Sequence, residues 1–136
     1  MMIRIMKKLK GQRGGSALEF AIVLPVLLLI LLGIIDFGYV VFTKAVITNA
    51  SREGARTGIV FSDPPVNDAD IVQVVNDYCT NFIPSATVSI QVVRAGGAAG
   101  DPLTVRVNYM HDFLFLSNFG IPGPIDLGAE TVMRME

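Results

Sequence analysis

The feature that most constrains the fold is a long apolar run near the N-terminus. The sixteen residues Phe20–Ile35 carry no charge, and if Asp36 is tolerated the run continues to Phe42, which makes 23 residues. A helix needs about 20 residues to cross a hydrocarbon core of roughly 30 Å. Only a helix or a closed barrel satisfies the backbone polar groups inside lipid. The run therefore predicts one membrane-spanning helix.

The charges around this run are asymmetric. The first fourteen residues carry five basic side chains and no acid, whereas the remaining 122 carry six basic and twelve acidic ones. This excess predicts a cytoplasmic N-terminus and a periplasmic or otherwise extracytoplasmic body. The run exceeds the ~7–15 apolar residues of a cleaved secretory signal and lacks an A-x-A site, so we expect it to be retained. The mildly acidic body argues against nucleic-acid binding.

Two residues of the run are unusual in a membrane helix. Pro25 removes a backbone donor, which predicts a kink or a loosened turn. A carboxylate such as Asp36 near the end of a span is costly unless it reaches the interface or meets a partner. We expect the interfacial placement, with Tyr39 as an aromatic anchor.

The helical pattern continues beyond the membrane to about Gly58. Ala50, Gly54 and Gly58 recur every four residues, which places small side chains on one face where another helix can approach closely. For Gly58 we favour a simpler interpretation, the end of the helix. Two arginines on one face, Arg52 and Arg56, predict a solvated surface.

The remainder reads as a small α+β unit. A break at 62–65 precedes Asn67, which can cap a helix. A single apolar stripe then runs to Pro84 through Ile71, Val74, Val75, Tyr78 and Phe82. Alternation with period two predicts two strands, over 86–92 and 103–109, joined by a glycine-rich connection, and a weaker third strand over 129–135. The predicted fold is thus a long N-terminal helix, a small helix and a three-stranded antiparallel sheet.

The connection before the third strand is unusually apolar. It runs from His111 to Pro122 and contains Phe113, Leu114 and Phe115. We expect it to fold over the sheet as core. The alternative is an apolar patch for a partner or for the membrane surface.

No arrangement of residues points to catalysis or to a cofactor. His111 is the only histidine and has no cluster of ligands around it in the sequence. The acidic residues near the small helix do not follow a calcium-loop pattern. The single cysteine, Cys79, allows no intramolecular disulfide and is expected to be buried. We therefore expect a protein that is not an enzyme and binds no metal or small-molecule substrate.

Glu19 stands directly before the apolar run and admits two interpretations. Locally, Ser16 and Glu19 fit an S-x-x-E capping box at a helix start. More widely, a basic leader ending at Gly14, four residues, and then Glu19-Phe20 resemble the processing site of type IV pilin-like proteins. That resemblance implies cleavage by a prepilin peptidase between Gly14 and Gly15.

The resemblance narrows with further motifs. Together with the processing site, the chain is similar to TadE proteins, pseudopilins of tight-adherence (Tad/Flp) systems, in the segments Leu24-Pro25, Gly33-Ile34-Ile35-Asp36-Phe37-Gly38 and Asn49-Ala50-Ser51-Arg52-Glu53-Gly54-Ala55-Arg56. Ser51 departs from the alanine or arginine that members often carry.

Membership would imply a minor pseudopilin with a pilin-like fold, acting in pilus assembly, adhesion or secretion. Its parts would be a leader (1–14), a membrane helix (15–42), a projecting helix and connector (43–61) and an extracytoplasmic domain (62–136). Its partners would be the prepilin peptidase, other pseudopilins and pilins, the inner-membrane assembly platform and lipid. It would reside in the inner membrane or in a surface pilus. Pro25, Asp36, Ala50 and Gly54 are the helix-packing candidates.

The new α-amine of Gly15 suggests a role for Glu19. This amine would be largely cationic at neutral pH, with a reference pKa of about 7.7–8.0. Glu19 in an apolar bundle needs a cation, and the Gly15 amine of a neighbouring subunit would supply it and set the axial register. The alternative is an uncleaved, single-span binding or sensor protein in which Glu19 only caps the helix.

Overall fold

The computed structural model describes residues 2–60, 66–83, 87–120 and 123–135. It confirms the predicted α+β class. A long N-terminal helix is followed by a short helix and then by three strands. The elements are α1 (Met2–Ile59), α2 (Asp68–Phe82), β1 (Val88–Arg94), β2 (Pro102–His111), a 3-10 helix (Leu116–Phe119) and β3 (Ile125–Arg134).

Helix α1 is continuous over 58 residues and includes Pro25. It is long and apolar enough over Gly14–Ile59 to cross a membrane, and none of its most apolar stretch is buried against the rest of the protein. Arg56 in its last turn complements the partial negative charge of the helix C-terminus. The predicted chain break at 62–65 lies outside the described residues.

Helix α2 begins with a reciprocal cap. The Asn67 side chain accepts the Asp70 N–H at 2.9 Å, and the Asp70 carboxylate accepts the Asn67 N–H at 3.3 Å. The predicted stripe is buried at Ile71 and Val75 but is wrong at Phe82, which is 51% exposed. Cys79, four residues after Val75, continues the buried face instead. Phe82 lies one residue before the helix cap, and its ring is tilted against the Tyr78 ring, with 5.1 Å between the centroids.

The strands form one antiparallel sheet in the order β1-β2-β3. Ile90 pairs with Val107, which pairs with Ala129 on its other side. The first strand begins at Val88, and Ala86 lies outside the described residues. The third strand begins at Ile125, four residues earlier than predicted, because residues 125–128 pair with the end of β2.

The core lies between the second half of α1, α2 and the inner face of β2. Each of these elements contributes small or branched apolar side chains that are fully buried. They are Ile47, Ala50, Ala55, Ile71, Val75, Cys79, Leu103, Val105 and Val107. Burying this surface stabilises the unit by roughly 25 cal/mol per Å² of apolar area removed from water.

Strand β2 runs antiparallel to α1 along the core. Near its start, Leu103 packs at Gly58 close to the C-terminal end of α1. At its end, the His111 ring lies 5.2 Å from the Tyr39 ring. The segment that follows β2 therefore lies at the end of the domain nearest to the apolar run of α1.

Candidate functional site

The N-terminal motif of α1 is open to its surroundings. Gly14, Gly15 and Glu19 are exposed within the helix, and Phe20 is 62% exposed. A Cβ added at either glycine would meet nothing within 4 Å. No other described element covers this motif, so a peptidase or a neighbouring subunit could reach it.

The local capping interpretation of Ser16 and Glu19 does not fit the uncut chain. Helix α1 begins at Met2, so Ser16 lies well inside the helix and its backbone is not at a helix start. A capping box requires the first turn, where backbone N–H groups lack intrahelical partners. Cleavage after Gly14 would place Ser16 in such a turn.

The part of α1 from residue 15 to residue 42, called the membrane half below because its composition predicts a membrane span, carries exposed apolar side chains along its length. Pro25 is itself exposed, and the helix continues through it. Leu18, Ile22, Ile30 and Ile34 are each more than half exposed. This surface fits a lipid or helix environment better than water.

Asp36 is the residue that the structure places most differently from our expectation. It is only 1% exposed, and instead of facing an interface it accepts hydrogen bonds from backbone N–H groups of the β2–β3 connection. The donors are Leu114 (3.1 Å to Oδ1), Phe115 (3.1 Å to Oδ2) and Leu116 (2.8 Å to Oδ2). A carboxylate that accepts several amide bonds is well stabilised despite its burial.

The β2–β3 connection is thereby fastened to α1 rather than folded over the sheet. Leu114 is 52% exposed and Phe115 is 38% exposed, so the expectation that this segment forms core is wrong for these residues. The reason is the carboxylate of Asp36, which binds the backbone of the segment and leaves its apolar side chains pointing outward. The sequence signal was present, since an unpaired acid in an apolar run needs donors.

His111 lies beside Asp36 at the same level of the fold. It is 1% exposed, and its ring contacts the rings of Tyr39, Tyr109 and Phe113 at centroid distances of 5.2, 6.1 and 5.9 Å. Neither ring nitrogen has a hydrogen-bond partner among the described residues. Burial lowers the pKa of His111 below its ordinary value, and the nearby carboxylates of Asp112 and Asp36 oppose this shift.

Three small residues of α1, Ala50, Gly54 and Gly58, form a close-packed contact with α2 and β2, called the packing seam below. Ala50 is fully buried, and a Cβ at Gly54 would overlap the Val75 side chain of α2. Gly58 lies one residue before the helix ends, as expected, and it is also a close contact with Leu103 of β2. The helix that approaches this face is α2 of the same chain.

Two polar contacts fasten the same part of α1 to β3. Ser51 is fully buried, and its hydroxyl lies 2.7 Å from the Thr131 hydroxyl. The Lys44 ammonium donates to the Gly128 carbonyl. Arg52 and Arg56 are exposed.

Cys79 is buried on α2, as predicted, and burial raises the pKa of its thiol. Among the described residues, no three His, Cys, Asp or Glu side chains lie together where they could hold a metal ion.

Comparison with known proteins gives one match, in the N-terminal part of the chain. The family model of TadE-like proteins matches residues 14–56, which lie within α1. Searches of the curated proteins and of the solved structures give no match. The matched segment contains Gly14, Glu19, Asp36 and the packing seam up to Gly54. Residues 14–56 are therefore similar to TadE-like proteins, and they lie in the one described helix that is long and apolar enough for a single membrane anchor.

Proposed function

We propose that the chain is a minor pseudopilin of a Tad/Flp pilus or secretion apparatus, matured by a prepilin peptidase. The observation that carries this proposal is the contrast along the TadE-like segment. Its first part, with Gly14, Gly15 and Glu19, is exposed, whereas its second part is packed into a domain of the same chain. In such a chain the exposed part of the helix is available to a peptidase and to neighbouring helices, while the folded domain forms its core from its own residues.

The maturation step is hydrolysis of the Gly14–Gly15 peptide bond. Water adds across the bond, which leaves a carboxylate on Gly14 and an α-amine on Gly15. Neither glycine has a side chain, and no other atoms lie within 4 Å of the position a Cβ would occupy. The peptide bond between them is therefore not shielded by neighbouring groups. The five basic residues of the leader support a cytoplasmic location for this step.

An intact-mass measurement tests maturation. The membrane-extracted protein from cells with the peptidase should lack residues 1–14, and protein from cells without it should retain them. A chain that still begins near Met1 in competent cells would overturn the proposal and favour an uncleaved membrane-anchored binding or sensor protein. Gly14→Leu is a matched variant that should block the cut, while Gly33→Leu should leave it intact.

The role proposed for Glu19 is pairing with the Gly15 amine of an adjacent subunit. Glu19 is exposed in the single chain, which leaves its carboxylate available to a neighbour. In an apolar helix bundle such a pair stabilises one register, because removing either partner leaves an unpaired buried charge. The domain and its packing seam are too far along the helix to take part.

Glu19→Val should leave cleavage and membrane insertion intact but prevent incorporation into pili. Glu53→Val is the matched control, since Glu53 is an exposed acid on the same helix but outside the membrane half. Incorporation is measured as the ratio of the subunit in sheared pili to that in membranes. Normal incorporation of the Glu19 variant would refute the pairing.

A further inference from the structure

The position of the β2–β3 connection along α1 can be read from successive contacts. Leu103 at the start of β2 lies at Gly58, and His111 at its end lies at Tyr39. The amides of Leu114 to Leu116 then reach Asp36, the charged residue that directly follows the uninterrupted apolar run. Among the described residues of the domain, segment 113–118 is therefore the part that lies against α1 directly after its apolar run.

The depth of this contact follows from helix geometry. A helix rises about 1.5 Å per residue, so a hydrocarbon core of about 30 Å covers about 20 residues. If that core begins at Phe20, its end on the domain side falls near Tyr39. Asp36 then lies about one helical turn inside the boundary, and the backbone that binds it lies at the same depth.

Several side chains at this level are apolar and exposed. Segment 113–118 contains no charged residue. Leu114 is 52% exposed, and Met110 near the end of β2 is 59% exposed. On the helix, Phe37 is 68% and Val41 is 53% exposed. In α1 these exposed apolar residues follow the apolar run Phe20–Ile35, whereas the exposed acids Asp112 and Asp126 lie on the domain side of segment 113–118.

The backbone of segment 113–118 is also suited to a place with little water. Asp36 accepts the N–H groups of three successive residues, Leu114 to Leu116. The Phe113 carbonyl accepts the Ser117 hydroxyl at 2.9 Å, and the Phe115 carbonyl accepts the Asn118 N–H at 3.2 Å. Irregular backbone at membrane depth requires such internal satisfaction, since lipid offers no hydrogen bonds.

We propose that segment 113–118 enters the bilayer interface on the domain side and contacts lipid through Leu114 and Phe115. The Asp36 carboxylate holds the segment there and satisfies its amides, while the amides stabilise a carboxylate at this depth. The segment thus forms a second membrane contact beside α1 and fixes the tilt of the domain against the membrane surface. The proposal requires only that α1 crosses a membrane, and it does not depend on cleavage or pilus assembly.

Other exposed apolar residues at the far end of the sheet provide a comparison. Val93 is 49% exposed, close to the value for Leu114, and it pairs across the sheet with Thr104 near the start of β2. This position lies at the opposite end of the domain from Asp36. Val93 is therefore matched to Leu114 in exposure and differs from it in expected depth.

The test uses the full chain in vesicles of phosphatidylethanolamine and phosphatidylglycerol. Single cysteines at Leu114→Cys, Val93→Cys and Ile30→Cys, in a Cys79→Ala background, carry an environment-sensitive fluorophore. Quenching is measured with lipids that bear a nitroxide near the headgroup end of the acyl chain. We expect several-fold stronger quenching at position 114 than at position 93, and we expect quenching at position 30 in the span.

The outcomes separate the possible occupants of the surface. Equal, weak quenching at positions 114 and 93, with strong quenching at position 30, would overturn the proposal. So would shielding of position 114 from aqueous iodide that grows with the protein-to-lipid ratio and occurs without lipid quenching, because a neighbouring subunit would then cover the segment. Absent quenching at position 30 would refute the membrane anchor and this proposal with it.

The contribution of Asp36 is tested in the same assay. In the Leu114→Cys chain, Asp36→Ala should reduce quenching at position 114 toward the level of position 93, because the amides lose their acceptor. Asp36→Asn retains one acceptor oxygen and should give an intermediate loss. If quenching at position 114 is unchanged by Asp36→Ala, the segment does not depend on the carboxylate and this part of the proposal is wrong.

Discussion

The two halves of α1 share one continuous helix but face different surroundings. From Leu18 to Ile35 the apolar side chains are largely exposed, with no described element packed over them. From Thr43 to Gly58 the helix contributes buried residues to the core of the domain. The change occurs at Asp36, the first buried residue of the described part of α1, which accepts hydrogen bonds from the β2–β3 connection.

This difference assigns distinct roles to motifs that look alike in sequence. Glycines occur in both halves, at Gly33 and Gly38 and at Gly54 and Gly58, and the TadE-like match covers three of them. A Cβ at Gly33 or Gly38 would meet nothing within 4 Å, whereas one at Gly54 or Gly58 would overlap side chains of α2 and β2. The later glycines are required by the fold of this chain, whereas the earlier ones have open space around them.

The largest effect that tests this contrast is expected at the seam. Gly54→Val adds a branched side chain where Val75 already lies, and overpacking of this kind typically costs about 1–3 kcal/mol. Val75 is β-branched and has few alternative rotamers, so its side chain cannot easily move away from the added group. We expect a lower urea midpoint of domain opening, measured in detergent by the labelling rate of the buried Cys79 thiol.

Gly38→Val is the control for this measurement. Both substitutions change helix propensity by the same amount, so the difference between them isolates packing. We expect the Gly38 variant to keep the wild-type midpoint, since nothing lies within 4 Å of its Cβ position. Equal losses in the two variants would show that the halves do not differ in packing.

The next effect is expected at the border between the halves. Asp36→Ala leaves three amides without their acceptor, and an unsatisfied buried donor costs about 1–3 kcal/mol. Because segment 113–118 lies at the surface of the domain, we expect its release before global unfolding. Amide hydrogen exchange should therefore accelerate at residues 114–116 more than in β2.

Glu19→Ala is the matched change of a carboxylate in the membrane half. Glu19 is exposed, so its removal should leave both the exchange rates of the domain and the Cys79 labelling midpoint unchanged. Faster exchange at residues 114–116 in the Glu19 variant would mean that the two halves are coupled along the helix.

A smaller effect is expected where α1 meets β3. Ser51→Ala removes the hydroxyl that lies 2.7 Å from the Thr131 hydroxyl, and a hydrogen bond of this kind contributes about 1 kcal/mol. The Cys79 labelling midpoint should fall by a correspondingly small amount. Thr80→Ala is a suitable control, because its hydroxyl bonds only to carbonyls of its own exposed helix turn. A Ser51 variant as stable as wild type would show that the contact adds nothing to the packed half.

The sequence predicted most of the fold because the local signals agree with it. Hydrophobic period identified α2 and the strands, and the Asn67 cap marked the start of α2. It did not predict the contact of Asp36, because the carboxylate and its donors are 78 to 80 residues apart in the chain. The predicted burial of Phe82 and of residues 114–115 was also wrong. The apolar pattern of a sequence does not show which apolar residues lie beyond the edge of the core.

The smallest effect that sharpens the comparison concerns pH, at the border where His111 meets Tyr39. Burial lowers the pKa of His111 in the folded protein, so between that lowered pKa and the ordinary value near 6.5 the unfolded chain binds more protons. Stability therefore falls as the pH falls through about 6.5 toward the folded-state pKa. This loss of stability concerns the packed domain, because the titrating ring is on β2 and lies against Tyr39 of α1.

His111→Phe should remove this pH dependence while keeping a ring among Tyr39, Tyr109 and Phe113. The Cys79 labelling midpoint, measured at a pH of about 7.5 and of about 5.5, should fall less in the variant than in the wild type. The variant also lacks the two buried ring nitrogens that have no described partners, so its midpoint should be higher than that of the wild type. This difference should be largest at the lower pH, where protonation of the histidine stabilises the unfolded wild-type chain. An equal fall in both proteins would mean that His111 takes up its proton as readily in the folded domain as in water, and that the border between the two halves is open to solvent.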